Sequence, residues 1–266
     1  MRISCQDVEY HVEVAGEGEP LLLLHGFTGN LDSWNFLIPL LRSKCKLILV
    51  DIIGHGETDS PEDSDRYEIK KAAGDLKEIL DQLNAEKVSV LGYSMGGRLA
   101  LSFAALYPER INKLILESAS PGLKEDTERT KRVMADKKLS QMILNEGLER
   151  FVDYWENIPL FTTQKSLPEA VQQEIRIQRL SNRAIGLANS LTGMGTGAQP
   201  SWWEKLGMFD FPVLLLAGEL DEKFCRIAFS MKKHMKHCEV KIINDAGHAI
   251  HVEQEKKFGK IISEYL

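Results

Sequence analysis

The sequence predicts an α/β fold: a mostly parallel β-sheet flanked by helices, interrupted by an all-helical insertion. Three observations carry this reading. Continuous apolar runs such as Leu21–Leu24 recur along the chain, too short for helices and suited to strands buried on both faces. Segments with helical spacing lie between most of these runs, the arrangement of βαβ units. From about Pro121 to Leu206 the strand-like runs stop altogether.

In chain order, Val8, Tyr10, Val12 and Val14 alternate with polar residues and predict a half-buried antiparallel strand. The turn-rich GEGEP leads into LLLLHG, the first fully buried strand. KLILVD at Lys46–Asp51, KVSVLG at Lys87–Gly92, INKLILES at Ile111–Ser118, FPVLLLAG at Phe211–Gly218 and EVKIIND at Glu239–Asp245 repeat the pattern. The clearest helix covers Tyr67–Leu83, where Ile69, Ala72, Ala73, Leu76, Ile79, Leu80 and Leu83 form one apolar stripe. Residues 1–120 and 207–266 form the expected core, and 121–206 a helical cap broken by Pro159, Pro168 and TGMGTGAQP. Caps over strand ends shape substrate pockets, so specificity is expected there.

Bulk properties narrow the function classes. The 266-residue chain is 43% hydrophobic and 27% charged, as soluble globular proteins are, and its net charge of −6 with no basic run argues against nucleic-acid binding. No apolar run approaches the roughly 18 residues of a membrane helix. MRISCQDVEYHVEV lacks the apolar core of a signal peptide. Cys5, Cys45, Cys225 and Cys238 include no Cys-x-x-Cys pair, which speaks against a metal site. A cytoplasmic protein without metal or cofactor is expected, a monomer or small homo-oligomer.

GYSMG fits Gly-x-Ser-x-Gly, with strand KVSVL before it and helix RLALSFAALY after it. A sharp strand-to-helix turn would hold Ser94 in a strained conformation, the flanking glycines at positions 92 and 96 avoiding clashes. The Met95 amide would then face the site at a helix N-terminus, where an oxyanion is favoured. LLLLHGFTG would supply the second oxyanion donor from the Phe27 amide, His25 and Gly26 fixing the loop. The acid and histidine should follow in that order. Asp221 lies just beyond one strand and His248 just beyond the next; Glu219, Glu222 and Asp245 are neighbours less well placed. Of the other histidines, His11, His234 and His237 sit on strand or helix faces, His55 in a turn, and His251 at a surface or wall position of the final helix.

With HGF, DIIGHGET, GYSMGG, GELD and AGH in this order, the chain resembles the α/β-hydrolase superfamily over nearly its full length. The fold hosts many reactions, so this says little about chemistry; dehalogenases would need an acidic residue at position 94. The narrower resemblance is to the 2-succinyl-6-hydroxy-2,4-cyclohexadiene-1-carboxylate synthases, pyruvate-eliminating lyases of menaquinone synthesis. It rests on GYSMGGR, SPGL at Ser120–Leu123, W-x-x-x-PLF at Trp155–Phe161, RLSNRAIGLANSLTGMGTGAQPSWW at Arg179–Trp203 and GELDEKF at Gly218–Phe224.

The resemblance implies a cofactor-free enzyme whose substrate carries three carboxylates, groups that arginine binds bidentately. Arg98, Arg132 and Arg179 would hold them, with Arg129 competing for the second place and Arg176 and Arg183 for the third. Tyr93 and Trp155 would line the pocket, although Trp155 also reads as cap core. In the implied reaction Ser94, charged through His248 and Asp221, removes a ring proton, and the Phe27 and Met95 amides stabilise charge on a substrate carboxylate. Two rivals share these residues: a serine esterase or C–C hydrolase, and a small-molecule receptor.

Overall fold

The computed structural model describes all residues, 1–266. Eight strands form one sheet in the order β1-β2-β4-β3-β5-β6-β7-β8. They are β1 (Arg2–Cys5), β2 (Val8–Ala15), β3 (Glu19–Leu24), β4 (Cys45–Val50), β5 (Val88–Tyr93), β6 (Ile111–Glu117), β7 (Val213–Gly218) and β8 (Cys238–Ile243). The β1–β2 and β2–β4 pairs are antiparallel, and every pair from β4 to β8 is parallel. The one strand that periodicity misses is β1: RISC is too short to show alternation, and it pairs through the tight turn at Gln6, φ 55°.

The apolar runs are buried as expected, Leu21–Leu24 and Leu47–Val50 completely. Alternate residues of each run point to opposite faces, so Leu22, Leu24 and Val90 feed one half-core while Leu21, Leu23 and Leu91 feed the other. The run at β8 departs from this pattern. It is the edge strand and is only half-buried, with Cys238 and Val240 packed on one half-core and Ile243 on the other.

The helices are α1 (Ile38–Leu41), α2 (Ile69–Gln82), α3 (Met95–Leu106), α4 (Asp126–Glu146), α5 (Leu148–Trp155), α6 (Glu169–Leu180), α7 (Ala184–Gly193), α8 (Glu222–Lys232), α9 (Ile250–Glu253) and α10 (Glu255–Tyr265). None is long and apolar enough to cross a membrane. Helices α4 to α7 fall between β6 and β7, with no strand among them. They share a small apolar cluster of Ile143, Phe151, Val152, Leu187, Ala188 and Leu191. Phe27, from the loop after β3, packs on the same cluster.

Parallel strands bring their carboxyl ends to one edge of the sheet, where their following loops meet. Two glycines permit the closeness. At Gly96 a Cβ would overlap the Leu24 and His25 carbonyl oxygens, and at Gly218 those of Ala246 and Gly247. The first contact presses the start of α3 against the loop after β3. The second presses the loop after β7 against the loop after β8.

Candidate active site

Ser94 follows β5 directly and occupies φ 50°, ψ −105°. That region is sparsely populated for residues with a side chain, and it turns Oγ away from the strand into the space above the sheet edge. The backbone is fixed on both sides: the Ser94 amide donates to the Glu117 carbonyl at 2.9 Å, and the Arg98 amide donates to the Ser94 carbonyl at 2.9 Å. Ser94 Oγ lies 2.9 Å from His248 Nε2, and His248 Nδ1 lies 2.7 Å from Asp221 Oδ2. A carboxylate only accepts, so Nδ1 carries the proton and Nε2 is left to accept from the serine.

Asp221 also ends the loop in which it stands. It caps α8, its Oδ1 accepting from the Phe224 amide at 3.3 Å. Glu219 and Leu220 tie this loop to the next by donating to the Ile243 and Ala246 carbonyls, each at 2.9 Å. Phe224, Tyr93 and Phe161 surround the His248 ring, with centroids 4.7, 5.5 and 6.1 Å away. The Ser94–His248–Asp221 line therefore runs through a largely apolar wall.

The Phe27 and Met95 amides donate to no protein acceptor. Met95 adjoins Gly96 and Phe27 follows His25 by two residues, so the Gly96 contact brings these two backbone segments together. The loop carrying Phe27 is set by His25, which is fully buried. Its Nδ1 donates to the Gly26 carbonyl at 2.8 Å, and its Nε2 accepts from the Ile52 amide at 3.0 Å. His55 packs 5.2 Å from His25. Burial pushes the His25 imidazole down to about 4 and that of His55 to about 3, the His25 neighbour adding to the latter.

Both rings are thus neutral in the fold and would protonate near 6.5 once exposed. The unfolded chain then binds more protons, so stability is full above pH about 6.5 and declines as pH falls toward 4. The urea midpoint should fall over that window, and less steeply in His55→Asn.

The arginines occupy two places. Arg98 Nη1 donates to the Met194 carbonyl at 2.7 Å and to Gln199 Oε1 at 3.0 Å, joining α3 to the end of the helical insertion. Burial, with the nearby Arg132 charge second, pushes the Arg98 guanidinium down to about 10. Arg132 Nε donates to Asp136 Oδ1 at 2.8 Å, while Asp136 Oδ2 is buried without a partner. Burial holds the Asp136 carboxyl above its ordinary range. Arg132 is thus the one guanidinium paired with Asp136, while Arg98 meets only neutral acceptors.

Arg179 stands apart from that pair. It is 6% exposed, donates to Gln164 Oε1 at 3.0 Å, and lies 5.0 Å over the Phe161 ring. Burial lowers its pKa. Its link to Glu156 is long, 3.9 Å, whereas the competing Arg176 is committed to Asp153 at 2.7 Å and Glu156 at 2.9 Å. Arg183 is exposed, and Arg129 is half-buried with no ion pair.

Trp155 packs edge-on against Phe27, with centroids 5.4 Å apart, and near Phe161 at 5.8 Å. Its Nε1 is buried without an acceptor. Trp155 thus packs on the insertion's apolar cluster and also covers the loop that carries Phe27. Tyr93 separates His248 from His251, whose centroid is 4.6 Å away. A cleft of about 850 Å³ is lined by Phe27, Tyr93, Phe161, Gln164, Arg179 and His251 among others, but reaches neither Ser94 nor His248. Arg179, Gln164 and Phe161 also wall a second cavity of about 450 Å³.

Of the two places open to it, surface or wall, His251 takes the wall. It is 4% exposed in α9, with Nδ1 2.9 Å from Glu117 Oε1, and forms part of the cleft wall. Periodicity could not show this, because Glu117 is the polar last residue of an otherwise apolar strand. Asp136, Gln164, Gln199 and Glu253 carry no sequence signal either: each is a polar residue on a helical or turn segment, with no local pattern to mark its partner.

Known proteins bear on this geometry. Residues 19–255 match the family of the alpha/beta hydrolase fold. A protein of Bacillus subtilis (strain 168), provisionally named 2-succinyl-6-hydroxy-2,4-cyclohexadiene-1-carboxylate synthase, is 53% identical over 95% of this chain and 93% of its own length. The chain belongs to that synthase family, within the alpha/beta hydrolase fold. The structure of MenH from S. aureus superposes on the chain with a TM-score of 0.92 and 37% identity, covering 97% of each. A thermophilic esterase from Thermogutta terrifontis, solved with malate bound, is more distant at 26% identity and a TM-score of 0.86, covering 100% of this chain and 97% of its own. Membership of the synthase family bears out the narrower resemblance drawn from GYSMGGR and the stretch Arg179–Trp203.

Proposed function

We propose that this chain is the menaquinone-pathway lyase that eliminates pyruvate from 2-succinyl-5-enolpyruvyl-6-hydroxy-3-cyclohexene-1-carboxylate to give 2-succinyl-6-hydroxy-2,4-cyclohexadiene-1-carboxylate. Full-length kinship with the synthases supports it. The observation in the site that carries it is the cationic surplus near Ser94: Arg98 meets no carboxylate, donating to the Met194 carbonyl and Gln199, and Arg132 meets only Asp136, one of whose oxygens has no partner. An esterase acting on a neutral acyl group has no use for such a pair, whereas a substrate with three carboxylates does. Arg179, weakly committed to Glu156, is placed for another. Residues 121–206 act as the cap that carries Arg132, Trp155 and Arg179 over the strand ends.

The product's double bonds define the step. A proton leaves ring carbon 2, the ring double bond shifts, and the carbon–oxygen bond at carbon 5 breaks. The enolpyruvyl group departs with the electron pair and ketonises to pyruvate. Ser94 Oγ takes the proton as His248 accepts the serine's own, and Asp221 stabilises the resulting imidazolium. The Phe27 and Met95 amides hold the substrate oxygen on which charge accumulates. No acyl-enzyme forms and no water is consumed.

A coupled assay tests this reading. The preceding synthase supplies the unstable substrate in place, and pyruvate and diene absorbance are followed together. Pyruvate and diene should appear in equal amounts, and Arg98→Ala should lose the acceleration. Turnover no faster than the spontaneous reaction, with brisk cleavage of a simple aryl ester, would replace the lyase by a serine hydrolase.

A further inference from the structure

His248 is held by its side chain through Asp221, but a side chain this buried is no better placed than its backbone. That backbone lies in a loop between β8 and α9, directly after Gly247. One carboxylate grips it from both sides. Glu253, at the end of α9, accepts from the Gly247 amide through Oε2 at 2.6 Å and from the Ala249 amide through Oε1 at 3.4 Å. The two oxygens thus straddle the histidine, and a charge-assisted bond of 2.6 Å is strong for an amide donor.

The other side of the loop is closed by the helical insertion. Thr163, in the turn Pro159–Ser166, has its Oγ1 buried without a hydrogen-bond partner. It presses on Gly247, where an added Cβ would overlap Thr163 Oγ1 and come within 3.0 Å of Glu253 Oε2. The same turn carries Phe161, against the His248 ring, and Gln164, which holds Arg179.

We propose that Glu253 is a positioning residue for His248: its carboxylate fixes the Gly247 and Ala249 amides so that Nε2 meets Ser94 Oγ at hydrogen-bond distance. Thr163 is the stop against which that clamp closes. The inference rests on His248 working through Ser94, and is independent of the substrate.

The test compares wild type with Glu253→Ala and Glu253→Gln in three readouts: steady-state pyruvate release, the rate at which a fluorophosphonate labels Ser94, and the downfield proton resonance of His248 Nδ1–H. A base displaced by about 1 Å costs on the order of 100-fold in rate. Glu253→Ala should lose about that much in kcat and in labelling rate, with KM changed less than about threefold and the downfield resonance broadened or lost. Glu253→Gln keeps one acceptor and should fall between.

If Glu253 merely caps α9, the melting temperature drops while kcat and labelling rate per folded molecule stay at wild-type values; that result overturns the proposal. Should the alanine variant not fold, the glutamine variant decides it in the same way, wild-type kcat and labelling overturning it. If wild type releases no pyruvate while labelling still slows in the variants, the substrate reading fails and the positioning role stands.

Discussion

Ser94→Ala should lower the rate of pyruvate release by about 10²–10⁴-fold, the range a positioned proton-transfer group contributes. The loss should appear in kcat, because the arginines proposed to bind the substrate carboxylates are left in place. The substitution removes one oxygen from a partly buried site whose bond to His248 is 2.9 Å, so folding should survive it. What separates the lyase from a hydrolase is the wild-type enzyme under turnover. Intact-mass analysis should show no adduct on Ser94 with the true substrate, whereas a hydrolase working by covalent catalysis passes through an acyl-serine. An accumulating acyl adduct would exclude direct proton abstraction by Ser94.

Asp221→Asn should be as damaging, about 10⁴-fold in kcat, for a different reason. Asp221 Oδ2 lies 2.7 Å from His248 Nδ1 and forces the proton onto that nitrogen. An asparagine can turn its NH₂ toward Nδ1, which then must accept, and the proton moves to Nε2. His248 would then present a donor to Ser94 where an acceptor is needed. Geometry is preserved and the tautomer is wrong. The asparagine oxygen then stays on the side where Asp221 Oδ1 accepts from the Phe224 amide at 3.3 Å, and asparagine caps a helix about as well as aspartate, so stability should change by only roughly a few tenths of a kcal/mol. Measuring kcat on the folded fraction separates the two effects.

Both predictions concern residues that are legible in the sequence, and the reason is physical. A parallel sheet collects its functional side chains at strand ends, so a serine, an acid and a histidine each placed just after an apolar run must come near one another. The loop that brings Phe27 to the sheet edge is legible in the same way, since HGF follows such a run. What stayed hidden depends on contacts between segments far apart in sequence. Glu117 meets His251 across the sheet edge, Gln164 meets Arg179 within the insertion, and Glu253 turns back on its own loop. None of these pairs has a periodic signature. The arginines fall between the two cases. Resemblance singled out Arg98, Arg132 and Arg179, but only the ion pairs of Arg176 with Asp153 and Glu156 explain why that neighbour is already occupied.

The backbone at Ser94 has one more consequence. Its φ of 50° with ψ of −105° is a conformation that costs a residue with a Cβ roughly 1–3 kcal/mol. Glycine adopts it with less strain, so Ser94→Gly should abolish turnover while melting at a temperature equal to or above that of the wild type. Selection for heat resistance alone would therefore drift toward an inactive enzyme at this position. Only selection that also requires the product keeps the serine, which makes residue 94 a place where evolution for durability and evolution for chemistry pull in opposite directions.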